Sequence, residues 1–269
     1  MLVITVWGSA VSQHALTGEV SDCTTGEGIP YATVYHPSSG RGTTPDSTGE
    51  FVLSVEDSWS AGDSLLVSSV GYAAGAFAYD ERDAERLEVC LTAQQINLPG
   101  VTNTAKRFGK ARTYGNRSES RQIVTGWSVT PRNGAERGSR IRLRGKEVHM
   151  LKTIRLHIAS STYDSLRLRF NLYPGPVPTP SARPAYSWLV DTEQLSGWMN
   201  VDVLAEEILL VGDIFLAVEV VEAWSDRTGN QLFLSAGLFT DGLFHRDRHF
   251  GEWRRAELGL AINVLTLRD

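Results

Sequence analysis

The sequence predicts an all-β protein made of two β-sandwiches that follow one another along the chain. Short runs of alternating apolar and polar residues recur with the period of two that is typical of strands with one buried face. Turn residues separate these runs at close intervals, as in antiparallel sandwiches. Before residue 100, no segment shows the 3.6-residue period of an amphipathic helix.

Length and composition indicate a folded protein with one large or two ordinary domains. The chain has 269 residues, of which 42% are hydrophobic and 21% are charged, as in globular rather than disordered proteins. Beyond residues 1–12, no run approaches the ~20 apolar residues that a membrane-spanning helix needs. We therefore expect the mature protein to be soluble.

Residues 1–12 have the composition of the end of a secretory signal. An apolar stretch is followed by Ala10-Val11-Ser12, a small-residue cleavage site before Gln13. The positively charged segment that opens such signals is missing, which would fit a start codon further upstream. The alternative is that residues 1–12 form a buried first strand.

Two cysteines, Cys23 and Cys90, permit one disulfide, as one pair in an exported protein can form. The bond requires the strand before Cys23 and the strand that contains Cys90 to be neighbours. The alternative is that both cysteines are unpaired and pack as small hydrophobic side chains.

The first predicted domain, residues 13–105, is a series of short strands and turns. Asp46, Ser47 and Gly49 form a tight turn, because Asp and Ser side chains bond nearby N–H groups and glycine tolerates positive φ. Phe51, Leu53 and Val55 then alternate with Val52 and Ser54, which predicts a strand with one buried face. The predicted strands cover residues 16–20, 29–35, 51–55, 63–72 and 87–91.

Three motifs in this region occur in a defined order. They are Gly18-x-Val20-x-Asp22-x-x-Thr25-Gly26-Glu27-x-Ile29-Pro30-Tyr31-Ala32-x-Val34, Gly42-Thr43-x-x-Asp46-x-x-Gly49-x-Phe51-x-Leu53 and Asp63-x-Leu65-x-Val67-Ser68-x-x-Gly71-Tyr72. The series resembles the carboxypeptidase-like regulatory domain. This resemblance implies a prealbumin-like (transthyretin-like) seven-stranded antiparallel sandwich, a non-catalytic role and a place in the envelope of a Gram-negative bacterium.

Charge is unevenly distributed along the chain, although the net charge is only −5. Residues 13–105 carry 13 acidic and 3 basic side chains, whereas residues 106–155 carry 14 basic and 3 acidic ones. We predict that residues 106–138 form a basic linker that contacts the acidic first domain, with a short strand near residues 123–129. An anionic outer-membrane surface is the alternative contact of this linker. Since aromatic residues do not alternate with its charges, we expect no nucleic-acid partner.

Residues 139–269 predict a second, jelly-roll-like sandwich of about eight strands. Apolar and polar residues alternate over residues 140–144, 154–158 and 166–173. Five prolines between residues 174 and 184 predict a long irregular loop, because proline cannot donate to a strand ladder. Residues 204–210 are expected to turn into a buried strand. The arrangement is similar to the C-terminal β-domain that accompanies the regulatory module in other envelope proteins.

The sequence contains no motif that predicts catalysis. A Gly-x-Ser-x-Gly elbow, a Walker loop and a dinucleotide fingerprint are all missing, so we expect no enzyme activity and no cofactor. His249-Phe250-Gly251-Glu252 has the spacing of half a zinc carboxypeptidase site, but no further histidine follows it. We therefore favour a polar loop over a metal site at His245 and His249.

Five of the seven tryptophans lie after residue 125. On a concave face they could stack against sugar rings, although packing in the core and at sheet edges is the simpler interpretation. Trp188 and Trp198 flank a loop, and with Tyr173 they are the candidate binding residues.

These observations predict a non-catalytic, exported envelope protein that acts as an interaction or structural module. Its partner would be an envelope protein or a glycan, met in the periplasm or at the outer-membrane or cell surface. The alternatives are a glycan-binding C-terminal domain and, less favoured, a hydrolase related to zinc carboxypeptidases.

Overall fold

The structure, a computed structural model, describes residues 14–55, 59–60, 62–78, 86–94, 108–127, 129, 131–143, 147–238 and 242–268. The predicted signal at residues 1–12 lies outside these residues. The described chain consists of β-strands and connecting loops, with a single-turn 3-10 helix at Leu204–Glu206. The predicted all-β fold is therefore confirmed. In the described residues, no helix has the length and hydropathy needed to cross a membrane.

The first sandwich contains seven described strands. They are β1 (His14–Asp22), β2 (Thr33–His36), β3 (Arg41–Thr43), β4 (Glu50–Val55), β5 (Ser64–Ser68), β6 (Gly75–Ala78) and β7 (Leu87–Leu91). One sheet has the order β4-β1-β7 and the other has the order β3-β2-β5-β6.

The alternating pattern of the sequence builds the core of this sandwich. In β4, Phe51 and Leu53 point inward and are buried, whereas Val52 between them is 61% exposed. The turn before β4 forms as predicted, because the Asp46 carboxylate accepts hydrogen bonds from the N–H groups of Thr48 (2.9 Å) and Glu50 (3.1 Å). Gly49 in the same turn has a φ of 88°, which glycine adopts without strain.

The first sandwich differs from the prediction in one respect, since its sheets are not entirely antiparallel. β1 pairs with β4 antiparallel but with β7 parallel, and Ser21 lies opposite Cys90. Alternating burial fixes which face of a strand is inward, but it does not fix the direction of the strand. Because β1 and β7 are neighbours, Cys23 and Cys90 come together and form a disulfide, with their Cα atoms 4.9 Å apart.

The second sandwich contains the other strands that the structure describes. They are β8 (Lys110–Gly115), β9 (Val124–Trp127), β10 (Glu136–Ile141), β11 (His149–Ser161), β12 (Ser165–Pro174), β13 (Tyr186–Thr192), β14 (Gly197–Asp202), β15 (Leu209–Leu210), β16 (Ile214–Trp224), β17 (Leu232–Gly237), β18 (Leu243–Arg246), β19 (Arg254–Ala256), β20 (Gly259–Leu260) and β21 (Ile262–Arg268).

These strands form two sheets around one core. A six-stranded sheet has the order β13-β12-β16-β10-β18-β19. The larger sheet has the order β20-β17-β11-β21-β8, with β14 and β15 paired to β11 and β9 paired to β17. Apolar side chains from both sheets, including those of Leu168, Phe170, Leu216 and Ile154, fill the space between them.

Residues 106–138, predicted as a basic linker, instead contribute strands to the second sandwich. β8 pairs with β21, β9 pairs with β17, and β10 lies between β16 and β18. The reason is that apolar residues within the basic sequence reach the core, since Tyr114, Trp127 and Ala135 are all buried. Some basic side chains of this region pair with acids, as Arg132 does with Glu222.

The first sandwich packs on the outer face of the six-stranded sheet. The Thr44 N–H donates to the Arg132 carbonyl (3.0 Å), and the rings of Tyr35 and Phe250 lie 4.6 Å apart. This packing explains an exception to the predicted alternation in β12. Asn171 and Tyr173 are on the polar side of that strand, yet both are buried.

The disulfide should make a large contribution to stability. Cys23 and Cys90 are 67 residues apart, and a loop of that length corresponds to about 4 kcal/mol of lost entropy in the unfolded chain. We expect reduction to lower the free energy of unfolding, measured by urea denaturation, by about this amount. A Cys23→Ser/Cys90→Ser variant should have the stability of the reduced protein and should not respond to reductant. Equal stability of the oxidised and reduced proteins would contradict this expectation.

Candidate functional site

The register of the six-stranded sheet places four charged side chains in one row. Arg169 on β12 lies opposite Glu219 on β16, Glu219 lies opposite Glu136 on β10, and Glu136 lies opposite Arg246 on β18. Residues directly opposite one another on neighbouring strands point to the same face. The four side chains, which we call the charged row, therefore lie side by side beneath the first sandwich.

Each carboxylate of the charged row is paired with the arginine next to it. The Arg169 guanidinium donates to Glu219 Oε2 from Nε (2.9 Å) and from Nη2 (2.6 Å). The Arg246 Nη2 atom lies 2.6 Å from Glu136 Oε2. Glu136 and Glu219 are each only 1% exposed, so water contributes little to stabilising their charges and the arginines must do so.

The two carboxylates at the centre of the row repel one another. Burial raises the pKa of Glu219, and the negative charge of Glu136 adds to the effect, although Arg169 opposes it. Burial alone would lower the pKa of Arg246, but Glu136, Tyr173 and Glu219 outweigh it, and the pKa is raised. The row therefore holds its charges only as a set, with an arginine at each end.

A second layer of hydrogen bonds supports Glu136. Asn171 Nδ2 donates to Glu136 Oε1, and the Tyr173 hydroxyl lies 3.3 Å from both Glu136 oxygens. The same hydroxyl accepts a hydrogen bond from Arg246 Nη2 at 3.1 Å. Burial and the charge of Glu136 raise the pKa of Tyr173 well above its usual value. Tyr173 is therefore a neutral donor that helps to fix the carboxylate.

Tyr31 connects the first sandwich to the charged row. Its carbonyl accepts a hydrogen bond from Arg169, and its hydroxyl donates to Glu222 (3.2 Å) and contacts Arg167. Tyr31 has a φ of 55°, a conformation that costs a non-glycine residue about 1 kcal/mol. Such strain persists where the surroundings hold the residue firmly, as the two arginines do here.

His249 is the second point of attachment between the sandwiches. Its ring is buried, and Nε2 lies 2.9 Å from the Thr44 hydroxyl of the first sandwich. Burial lowers the pKa of His249 well below its usual value, and the charges of Arg169 and Arg246 act in the same direction. The ring is therefore neutral at physiological pH. In the part of the chain that the structure describes, no three His, Cys, Asp or Glu side chains are grouped so that they could hold a metal ion.

A cavity of about 420 Å³ lies between the sandwiches, directly above the charged row. All four residues of the row line it, and so do Tyr173 and His249. Its other wall comes from Tyr31 and residues 68–72 of the first sandwich, and residues 182–184 of the proline-rich loop lie at its side. Two buried atoms of the row, Glu219 Oε1 and Arg246 Nε, have no hydrogen-bond partner among the described residues.

The candidate binding residues predicted from the sequence do not come together. Tyr173 lines the cavity, but Trp188 and Trp198 do not belong to its lining. Trp188 on β13 donates its indole N–H to Glu206 (2.6 Å) and packs against the core beside Tyr186.

Trp198 lies on β14, in the other sheet of the second sandwich. It donates its indole N–H to Glu119 (2.6 Å), and the Arg155 guanidinium lies 4.7 Å from the centre of its ring. Its neighbour His157 lies on β11, at a position that alternates with apolar residues in the sequence, yet it is not solvated. That ring is buried against Trp198, with Nδ1 2.8 Å from the Ser235 hydroxyl.

A second cluster has the residue types of a hydrolase triad. His36 Nδ1 lies 2.8 Å from the Ser39 hydroxyl, and Nε2 lies 3.4 Å from Asp63. However, the Ser39 oxygen also accepts from the Arg41 N–H (3.3 Å), and Gly40 N–H donates to the His36 carbonyl (3.0 Å). These contacts are those of a tight turn between β2 and β3, so we assign the cluster a structural role.

The sequence gives one indication of the charged row, although strand alternation alone does not show which residues pair. Glu219 interrupts the apolar run 214–221, where a carboxylate can be buried only if a cation accompanies it. Arg167 and Arg169 occupy the polar positions of β12 next to it. The register that brings Arg169 to Glu219 becomes known only from the strand pairing.

The chain was compared with protein families, with curated proteins and with solved structures, and the family comparison supports the resemblance found in the motifs. Residues 16–102 match the family model of the CarboxypepD_reg-like domain, which confirms that resemblance. No curated protein matches the chain. Among solved structures, a DUF3823 family protein from Bacteroides uniformis ATCC 8492 is 10% identical, with a TM-score of 0.21, over 92% of this chain and 98% of that chain.

Removing one charge from the row should destabilise the protein strongly. Glu136→Gln leaves the charge of Arg246 buried without its anion, which costs about 3–5 kcal/mol for a buried pair. We expect a loss of this size in the free energy of unfolding, measured by urea denaturation.

The matched control is an exposed ion pair. Arg86 is 45% exposed and bonds Glu19 and Glu50, so Arg86→Ala should cost only about 0–1 kcal/mol. The double variant Glu136→Gln/Arg246→Met should lose less than the sum of its single variants, because it leaves no unpaired charge. Additive losses would show that the pair is not coupled.

Neutral His249 should make the stability depend on pH. Its pKa is lowered in the folded state, so the unfolded chain takes up a proton first as the pH falls, and stability is lost below the unfolded pKa of about 6.5. Between about pH 7.5 and about pH 5.5, the wild type should lose about 1.4 kcal/mol more than His249→Gln. Parallel stability curves for the two proteins would show that His249 does not titrate in this way.

Proposed function

We propose that this protein is an exported, non-catalytic module of the cell envelope that acts by binding. One observation carries the proposal: the buried ionisable side chains that line the cavity each have a partner within the protein. Glu136 is paired with Arg246, Glu219 is paired with Arg169, and His249 is bonded to Thr44. A general acid or base must reach the proton that it transfers, whereas these groups join two sandwiches.

The match of residues 16–102 to the CarboxypepD_reg-like domain supports the same proposal. This region forms its own sandwich, and Tyr31 and Thr44 fix it to the charged row and to His249. The two sandwiches are thus joined by buried polar contacts, and the module presents one combined surface to a partner. We propose an envelope protein or a glycan as that partner.

The disulfide supports an exported protein. Cys23 and Cys90 are bonded although both residues are exposed, and such bonds persist in oxidising compartments. We propose the periplasm or the cell surface of a Gram-negative bacterium as the location.

We assign no glycan-binding role to Trp188 and Trp198. Each indole N–H is held by a glutamate, and the two rings belong to different sheets. We also assign no zinc hydrolase role to His249, because its Nε2 atom bonds Thr44 inside the interface between the sandwiches. A ligand of the module would therefore be held neither by these two tryptophans nor by a zinc ion at His249.

Fractionation of a Gram-negative host combined with thiol trapping tests this proposal. We expect the chain in the envelope fractions, with Cys23 and Cys90 protected from a maleimide reagent until a reductant is added. Cys90→Ser leaves one thiol, which should be labelled without reduction and so serves as the control. Recovery of the wild-type chain in the cytoplasm with two reactive thiols would overturn the proposal of export.

A further inference from the structure

We propose that the cavity between the sandwiches binds a small organic anion that carries hydroxyl groups, a hydroxy acid of about monosaccharide size. This inference deepens the proposed binding function and rests on it. The volume of the cavity, the charges around it and two unpartnered buried atoms support this ligand.

The volume of the cavity fits a ligand of this size. At about 420 Å³, it lies near the lower end of the range of about 300–1,000 Å³ that small-molecule sites occupy. A single sugar acid fits such a space, whereas a folded partner does not. The two walls come from different sandwiches, and small-molecule sites occur preferentially at such boundaries.

The charges that line the cavity favour an anion. Arg169, Arg183 and Arg246 supply three positive charges, and Glu136 and Glu219 supply two negative ones, so the formal sum is +1. Arg183 is exposed in the proline-rich loop. Its planar guanidinium can bind a carboxylate through two parallel hydrogen bonds. The carboxylate of the ligand should therefore lie beside Arg183.

Two buried atoms indicate what the rest of the ligand supplies. Arg246 Nε is a donor and Glu219 Oε1 is an acceptor, and neither has a partner among the described residues. Both side chains are more than nine-tenths buried and line the cavity. A ligand hydroxyl can satisfy either atom, since a hydroxyl group both accepts and donates hydrogen bonds.

The opposite wall of the cavity offers neutral polar partners. Ser68 and Ser69 lie there, and the Gln94 amide is close by. Hydroxyl and amide groups can donate to or accept from further hydroxyls of a ligand. The cavity thus combines a charged floor with a neutral polar wall, which fits a polyhydroxylated acid better than a simple inorganic anion.

Titration calorimetry of the purified full chain with D-glucuronate tests the inference. D-Glucose has the same hydroxyl groups around its ring but lacks the carboxylate, and acetate has a carboxylate but no hydroxyl. We expect glucuronate to bind at least about tenfold more tightly than either comparator. Methyl β-D-glucuronide separates two sources of the same chemistry. Binding of this glycoside indicates the end of a polysaccharide, whereas binding of the free acid alone indicates a metabolite, and either result supports the inference.

Variants at Arg183 connect the binding to the cavity. Because Arg183 is exposed, Arg183→Ala should fold normally, and we expect it to weaken glucuronate binding at least about tenfold. Arg183→Lys should restore part of the affinity, and Arg227→Ala, an exposed arginine outside the cavity lining, should leave it unchanged.

Three results would overturn the inference: no heat with glucuronate at millimolar concentration, equal affinity for glucose, or full affinity in Arg183→Ala. None of them affects the fractionation and thiol trapping that test export. Failure of the ligand and failure of the proposed function can therefore be distinguished.

Discussion

The structure depends on one constraint: the charged row needs both its ion pairs and the first sandwich that packs over it. Four strands hold Arg169, Glu219, Glu136 and Arg246 at the same level of one sheet. Two carboxylates next to one another are unfavourable by themselves, and burial increases the penalty. The arginines at the ends and the backbone of Tyr31 above them compensate. The first sandwich therefore completes the electrostatics of the second one.

Much of the fold could be predicted because local patterns determine it. Phe51 and Leu53 alternate with exposed positions, and β4 has the predicted inward and outward faces. The direction of β7 could not be predicted, since alternation carries no directional information. The prediction of a linker at residues 106–138 was wrong because it rested on the basic charge of this segment and not on the positions of its apolar residues. Tyr114 and Trp127 lie in a basic sequence, yet each of them occupies a core position in a strand.

The candidate site was much less predictable, because it is made by contacts between distant parts of the chain. Tyr173 was a candidate residue and does line the cavity, but its partners Glu136 and Arg246 are 37 and 73 residues away in sequence. Trp188 and Trp198 were predicted as binding residues because they are large and aromatic, but the indole N–H of each donates to a glutamate. Residue type indicated chemistry at these positions, but only strand register determined which side chains meet.

The parallel pairing of β1 with β7 has a mechanical consequence. Tension applied to the chain before His14 and after Leu91 would pull these two neighbouring strands in opposite directions along their length. Their interstrand hydrogen bonds would then share the load in shear instead of opening one after another. The disulfide between Cys23 and Cys90 lies at the same end of both strands and prevents them from sliding apart. The first sandwich is therefore built to resist stretching between its two ends.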